Sequence, residues 1–526
     1  MTIMNMYLHN KFFDIIEIFI ENNQTPTKQN FTLKQLLILR KTNKKIKEAS
    51  DNIRPFIEVD YDFGYLEKKK ALVIITKIIK MTQYFKFSSL RMDKFAIMLD
   101  NDSIGCFYET IKLINLCTAN LRYIQHTDTT FEEREYIELF AEVLPKCISL
   151  NFLNLSNNHF EIEDIEILAE SLLQCQVLNH LDLSNCEIKS EDSEILTRAL
   201  IQCTTLKHLD FEYNSIDSDG LETFARMFSQ WTTLTSLDIS NSNRNGLVSF
   251  EGMLPWNTSL VHIDLSENGI EKLGIVLSQC KSLTNLNLSS NNIGNTENEN
   301  LAKAFQHCTS LVNLYLNENQ IGDSGVISLS EVLSQCKSLK KLSLNDNGIK
   351  NFTLVLSQCT ASNSYCTELN YLDISKNNFD NNGIKNFFKV LPHYIALTEL
   401  DFSSNSICDT GMISFSEVLP QCKSLIKLNL SYNGIGYIGI VSFVTVLSQS
   451  QCNLKKINLS YNIINESGAV RIIQCTNTTL NHINLIYNNI DNVIINNMYK
   501  KYSSLKNLYL DDYKYSSFDR ECDWKK

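Results

Sequence analysis

The sequence predicts an α/β fold: a right-handed solenoid, or horseshoe, of about 14 repeats with a concave parallel β-sheet and convex helices, preceded by a small helical N-terminal region. Three features carry that expectation. The motif L-x-x-L-x-L-x-x-N recurs from Leu150 to Leu505. Within each unit the apolar period changes from that of a strand to that of a helix. The commonest step between copies is 28 residues, as from Leu311 to Leu339, enough for one strand and one helix.

The unit Leu311 to Ser338 shows how each element arises. Leu311, Leu314 and Leu316 alternate with polar residues, as in a half-buried strand, which closes on Asn319 and Ile321. Asp323 and Ser324 read as helix N-caps, after which Val326, Leu329, Val332 and Leu333 recur at helical spacing. A parallel strand can follow its predecessor only through a crossover, which the helix supplies. Strands stack about 4.8 Å apart while helices need roughly 8 to 10 Å, so the stack bends with its sheet inside. Motif and period together resemble the leucine-rich repeat of the ribonuclease-inhibitor type, over about two thirds of the chain. That resemblance is specific for fold and says little about partner. The closing Asn should turn its amide inward to satisfy backbone groups of the loops; Cys186, Ser242 and Tyr513 replace it in three copies.

Composition narrows the functional classes. Net charge is -11, but residues 1 to 100 hold 17 Lys and Arg against 11 Asp and Glu, leaving 31 against 48 for the remainder. The repeats are the acidic part, so nucleic acid is not the expected ligand of the sheet. Asp14 and Glu17 interrupt the apolar N-terminus, and Ala71 to Ile79 is too short to span a bilayer, so neither a signal peptide nor membrane association is expected. The chain reads as cytoplasmic, in its own cell or in a host's. Of its 16 cysteines, Cys147, Cys175, Cys203, Cys280, Cys308, Cys336, Cys366 and Cys422 stand three residues before a motif, where a reduced thiol packs as a small hydrophobe.

Four segments follow from these patterns: a helical N-terminal region at 1–84, degenerate capping repeats at 85–149, the repeats proper at 150–513, and a tail at 514–526. Within 8–50, LLILRKTNKKIKEA with Leu36, Leu37 and Asn43-Lys44 is similar to the latter half of an F-box, although the usual Leu-Pro start and a following Trp are absent. The resemblance implies a ubiquitin-ligase adaptor as partner. The alternative is an ordinary cap over the open end of the core. Leu121 to His126 and Met92 to Ile97 read as worn rungs. Two irregular stretches, 240–282 with Gly246, Gly252 and Pro255, and Ala361 to Tyr365, should alter the regular stacking.

No catalytic set is found. Residues 1 to 130 hold only Gly64 and Gly105, which excludes a phosphate-binding glycine loop there, and neither G-x-S-x-G nor H-E-x-x-H occurs. No cofactor or metal is expected: His180, His208 and His262 share a column, but Ser236 interrupts it on an open sheet. Binding is the expected activity, with a protein partner on the concave face. The position between the second and third leucines reads Asp182, Asp210, Asp238 and Asp264 in consecutive copies, a stripe suited to a basic partner. Towards the other end Tyr432, Tyr461 and Tyr487 precede the closing Asn, with Tyr509 beyond, and form a candidate aromatic anchor. A Ran GTPase-activating family has similar repeats, but its long acidic tail has no counterpart in DYKYSSFDRECDWKK.

Overall fold

The computed structural model describes residues 60–62, 91–93, 122–127 and 134–510, except 229, 244–245, 251–254, 257, 274, 295–304, 306, 334–335, 352–367, 450–451, 475–479 and 502–507. The F-box-like stretch 8–50, the irregularity at 361–365, Tyr513 and the tail 514–526 lie outside the described residues. The chain divides into two compact units, residues 1–158 with 170–178 and residues 159–169 with 179–526.

In the first unit, strands Asp60–Asp62, Arg91–Asp93, Tyr123–Thr127 and Phe152–Asn154 pair in parallel in that order. Ile124 sits opposite Leu153, both fully buried, and Tyr123 stacks on Phe152 at 4.1 Å between ring centroids. The stretch read as a worn rung around Ile124 therefore pairs as a strand with the first complete motif.

The second unit is an α/β solenoid built on one parallel sheet, beginning His180–Asp182, His208–Asp210, Ser236–Asp238, His262–Asp264 and Asn285–Asn287 and continuing rung by rung to Leu508–Tyr509. Motif leucines set the register: Leu181, Leu209, Leu237, Ile263 and Leu286 stand side by side, each buried, while the residues flanking them face away from the core. From His180–Asp182 to His482–Asn484 the strands of this sheet are three residues long, and the chain then turns through a position with positive φ, from Asn185 to Tyr487. The closing Asn next in sequence holds that turn. In Asn433, 1% exposed, Oδ1 accepts from the amides of Asn405 and Ile407 at 3.0 and 3.1 Å, and Nδ2 donates to the carbonyls of Phe402 and Ser431. Each such amide ties one rung to the rung before it.

Helices return the chain behind the sheet, and one expected cap is corrected. The helix Gly322–Leu333 already includes Asp323 and Ser324. Asp323 Oδ1 instead accepts from the amides of Lys350 and Asn351, 2.7 and 2.9 Å away in the next repeat. Asp409 does the same for Gly436 and Gly439, at 2.7 and 3.0 Å. A Cβ on Gly439 would fall 2.7 Å from that carboxylate, so the close approach requires glycine.

Where the repeats shorten, strands Val248–Ser249 and Ile270–Lys272 pair in parallel in place of a regular helix among the described residues. Phe228, Phe250 and Trp256 fill the interior there, with Trp256 5.2 Å from Phe228 and 5.5 Å from Phe250. Gly246 and Pro255 leave no uninterrupted run for a helix in this stretch.

Of the ten described cysteines all are buried except Cys408. Sγ of Cys308 donates to the Leu277 carbonyl and Sγ of Cys336 to that of Cys308, both at 3.4 Å, so successive thiols link neighbouring repeats. Burial pushes the thiols of Cys203 and Cys336 up to about 11 and those of Cys280 and Cys422 up to about 12. Brief alkylation of the native protein at pH 8 should label the peptide containing Cys408 and spare those containing Cys280, Cys308 and Cys336, as read by mass spectrometry. Equal labelling would contradict this packing. No helix among the described residues is long and apolar enough to cross a membrane.

A candidate protein-binding face

Three outward columns line the first rungs of the second unit. The first strand position carries His180, His208, Ser236 and His262; the third carries Asp182, Asp210, Asp238 and Asp264; two residues on stand Ser184, Glu212, Ser240 and Ser266. All four sequence-predicted aspartates are thus brought together. They are half-buried, and one oxygen of each is committed locally. Oδ1 accepts from the backbone amide two residues on, at 3.0 Å in Asp182, Asp210 and Asp264 and 2.9 Å in Asp238. Ser184, Ser240 and Ser266 each donate their hydroxyl to the same oxygen at 2.7 Å. Asn287, Asn429 and Asn458 accept the same amide bond in later rungs, so the turn needs an oxygen there but not a charge.

The charge has electrostatic consequences. Oxygens of Asp210, Glu212 and Asp238 lie within 4.8 Å of one another. Three carboxylates without a neutral donor are an ordinary feature of an acidic surface, so they are read as crowded charge and not as a metal centre. Burial, reinforced by Asp238 and Asp182, pushes Asp210 up to about 7 against the opposing hydrogen bond from Glu212. Burial and the neighbouring carboxylates also raise Asp238 and Glu212. The rings of His180 and His208 are 5.5 Å apart, and burial together with neighbouring positive charge lowers both. The motif leucines do not single out Glu212; the column two places beyond the aspartates is the signal that points to it.

Further along, the same face loses its net charge. Asn285 is hydrogen-bonded to His262 and Asn313, while Asn317 bonds the hydroxyl of Ser343 and the amide of Asn345. Beyond these, Lys427 pairs with Glu399 at 2.7 Å.

The tyrosines lie elsewhere than expected. Tyr432, Tyr461 and Tyr487 are not on the sheet but in the turn that follows each strand, at φ of 55, 53 and 56°. Their rings form a continuous ladder, with centroids 4.0 Å apart at 11° and 4.3 Å apart at 30°. They are 53, 40 and 52% exposed, so the stack is presented to solvent and not spent on the core. A bulky side chain at positive φ costs on the order of 1 kcal/mol, which ring stacking of about 0.5 to 1.5 kcal/mol offsets. Tyr509 does not join them: it is 7% exposed in the last strand, 5.4 Å from the ring of His482.

Residues 160–433 match the family model of the MHP1/HER1/GIP3 LRR domain. No curated protein matches the chain in sequence. Among solved structures, the chain is similar to an LRR protein of Leptospira interrogans, at 18% identity and a TM-score of 0.49 over 84% of this chain and 99% of that one. It is also similar to the internalin inlF of Listeria monocytogenes, at 19% identity and 0.44 over 76% and 88%. A third similarity is to TLR13 in its complex with ssRNA13, at 16% identity and 0.42 over 81% and 65%.

Proposed function

Because the chain belongs to the MHP1/HER1/GIP3 leucine-rich-repeat family, we propose that it is a non-enzymatic scaffold that binds a protein partner through the outward face of its sheet and the turns beside it. The observation that carries this reading is the tyrosine ladder. Its rings are exposed yet already ordered against one another, so docking a partner freezes few rotors, and tyrosine offers a large contact area with a polar edge. The acidic rungs around Asp182, Asp210, Asp238 and Asp264 complement it by attracting a basic segment, an effect expressed mainly in the rate of encounter. We place the protein in the reducing cytoplasm, where its buried thiols remain reduced.

Surface plasmon resonance on a partner isolated by pull-down separates the two contributions. Changing all four aspartates to Asn, which keeps the turn oxygens, should slow association and flatten its salt dependence. Truncating Tyr432, Tyr461 and Tyr487 to Ala should speed dissociation, with about 2 kcal/mol lost for a ring that is a hot spot. Unchanged kinetics in both variants would move the binding surface to the helices or the N-terminal region.

A second reading rests on the sequence LLILRKTNKKIKEA: residues 8–50 recruit a ubiquitin-ligase adaptor while the repeats hold a substrate. Deleting 8–50 should then abolish adaptor binding and leave the melting of the repeats intact. Failure of the whole chain to bind the adaptor removes this reading. Capture of a small GTPase instead would favour a GTPase regulator.

A further inference from the structure

The rungs at 425–433, 454–462 and 480–488 carry no Asp or Glu from the first motif leucine to the closing Asn. Parallel register aligns Lys427, Lys456 and His482 in the first strand column and Asn429, Asn458 and Asn484 in the third. The carboxamides are fixed in orientation. Oδ1 of each accepts the backbone amide two residues on, at 3.2, 3.1 and 3.0 Å, and only an oxygen can meet an N–H, so Nδ2 is the atom left for other contacts.

Earlier on the sheet, such donors are met by a carboxylate from the neighbouring rung. Lys427 pairs with Glu399 at 2.7 Å, and Nδ2 of Asn429 donates to Oδ2 of Asp401 at 2.9 Å, both partners lying one rung before. Asn287 uses Asp264 in the same way, at 2.8 Å. One rung further the supply ends. Lys456 and Asn458 have Lys427 and Asn429 beside them, and the Asn429 oxygen already accepts both the amide and the hydroxyl of Ser431. Among the described residues Lys456 makes no ion pair, and Nδ2 of Asn458 and of Asn484 meets no acceptor, although each of these asparagines is only 7% exposed. Both amide groups still reach solvent, because the fully buried, unpartnered polar side-chain atoms among the described residues are Nε1 of Trp231 and of Trp256.

Resting on the reading of this face as protein-binding, we propose that these last rungs seat an acidic segment of the partner, rich in Asp and Glu. Its carboxylates take at Lys456, Asn458 and Asn484 the places that Glu399 and Asp401 fill one rung earlier. A carboxylate is the group that the fold itself sets against these two columns, and it accepts from an ammonium and a carboxamide together. Donors already largely removed from water gain more from an acceptor than donors on an open surface. Lys455, exposed immediately before Lys456, adds a second cation at this rung. Tyr432, Tyr461 and Tyr487 stand three residues beyond the amides of the same rungs, so a chain lying against the ladder passes these donors.

Fluorescein-labelled deca-glutamate is the probe, with binding to the full chain read by fluorescence anisotropy at low, constant ionic strength. Wild type should bind it. Combining Lys456→Gln with Asn458→Asp should weaken binding by about tenfold or more, the scale of one charge-assisted bond. In Asn458→Asp the carboxylate keeps the turn, as Asp401 does by accepting the Ser403 amide at 3.0 Å. Lys456→Gln by itself leaves the turn untouched and should show part of the loss. The pair Lys340→Gln and Lys341→Gln lowers the net charge equally at a distant rung, and should leave the affinity within about twofold. No binding by wild type, or equal weakening by the two pairs, would overturn the proposal. Either result leaves the scaffold reading intact, because the kinetics of the Tyr and Asp variants on a natural partner do not depend on this probe.

Discussion

Leu316→Asp is expected to abolish the cooperative melting of the rungs around it. Leu316 is fully buried, its amide donates to the Ser343 carbonyl at 2.9 Å, and its carbonyl accepts from the side chains of Asn319 and Asn347 at 3.1 and 2.8 Å. The substitution removes about 1.5 to 3 kcal/mol of apolar burial and adds several kcal/mol for a buried carboxylate with no counter-charge. A domain's whole stability is only about 5 to 15 kcal/mol. In a solenoid the damage also spreads, because each repeat is held by its neighbours and not by a common centre. Circular dichroism should show early, broadened loss of helix, and an unchanged melting curve would disprove the strand register in which Leu316 faces the core.

Asn433→Ala should be the next most costly change, although it removes little apolar area. Three buried backbone groups, the amides of Asn405 and Ile407 and the carbonyl of Phe402, lose this partner at once, while the Ser431 carbonyl keeps only the Ser404 amide, at 2.9 Å. Unsatisfied buried groups cost about 1 to 3 kcal/mol each, so even with relaxation the loss should be about 3 kcal/mol or more. Asn433→Ser should fall between. The hydroxyl of Ser242, at the equivalent place, lies 3.3 Å from the carbonyls of both Phe211 and Ser240 and has one hydrogen to share between them, so a short side chain serves these carbonyls only in part. It does not reach across to the amides of the preceding rung. Chemical denaturation should therefore rank wild type above Asn433→Ser and that above Asn433→Ala. Equal midpoints would mean that the amide ladder follows the turn and does not hold it.

Much of the candidate site is legible in the amino-acid sequence. Period-two spacing of motif leucines implies that the residues between them point outward, and a constant repeat length implies that equivalent positions align. Asp182, Asp210, Asp238 and Asp264 follow from that logic and stand in one row. The same logic fails for Tyr432, Tyr461 and Tyr487, because they lie beyond the strand, where positive φ turns the chain away from the plane that the period describes. It fails again for Tyr509, whose position matches an outward column but whose ring is covered.

What the sequence determined by itself is everything that repeats: the alternation of strand and helix, the parallel order of the rungs, the inward leucines, the buried cysteines and the closing Asn. These follow from local periodicity, and stacking identical units only multiplies them. What the tertiary structure alone decided is how neighbouring rungs divide their polar groups. Asp323 caps the following repeat and not its own helix, and Glu212 is pressed against Asp238 of the next rung. Such outcomes depend on distances of about 3 to 5 Å between residues nearly 30 positions apart in the chain, and those distances exist only once packing of the leucine core has brought the rungs together.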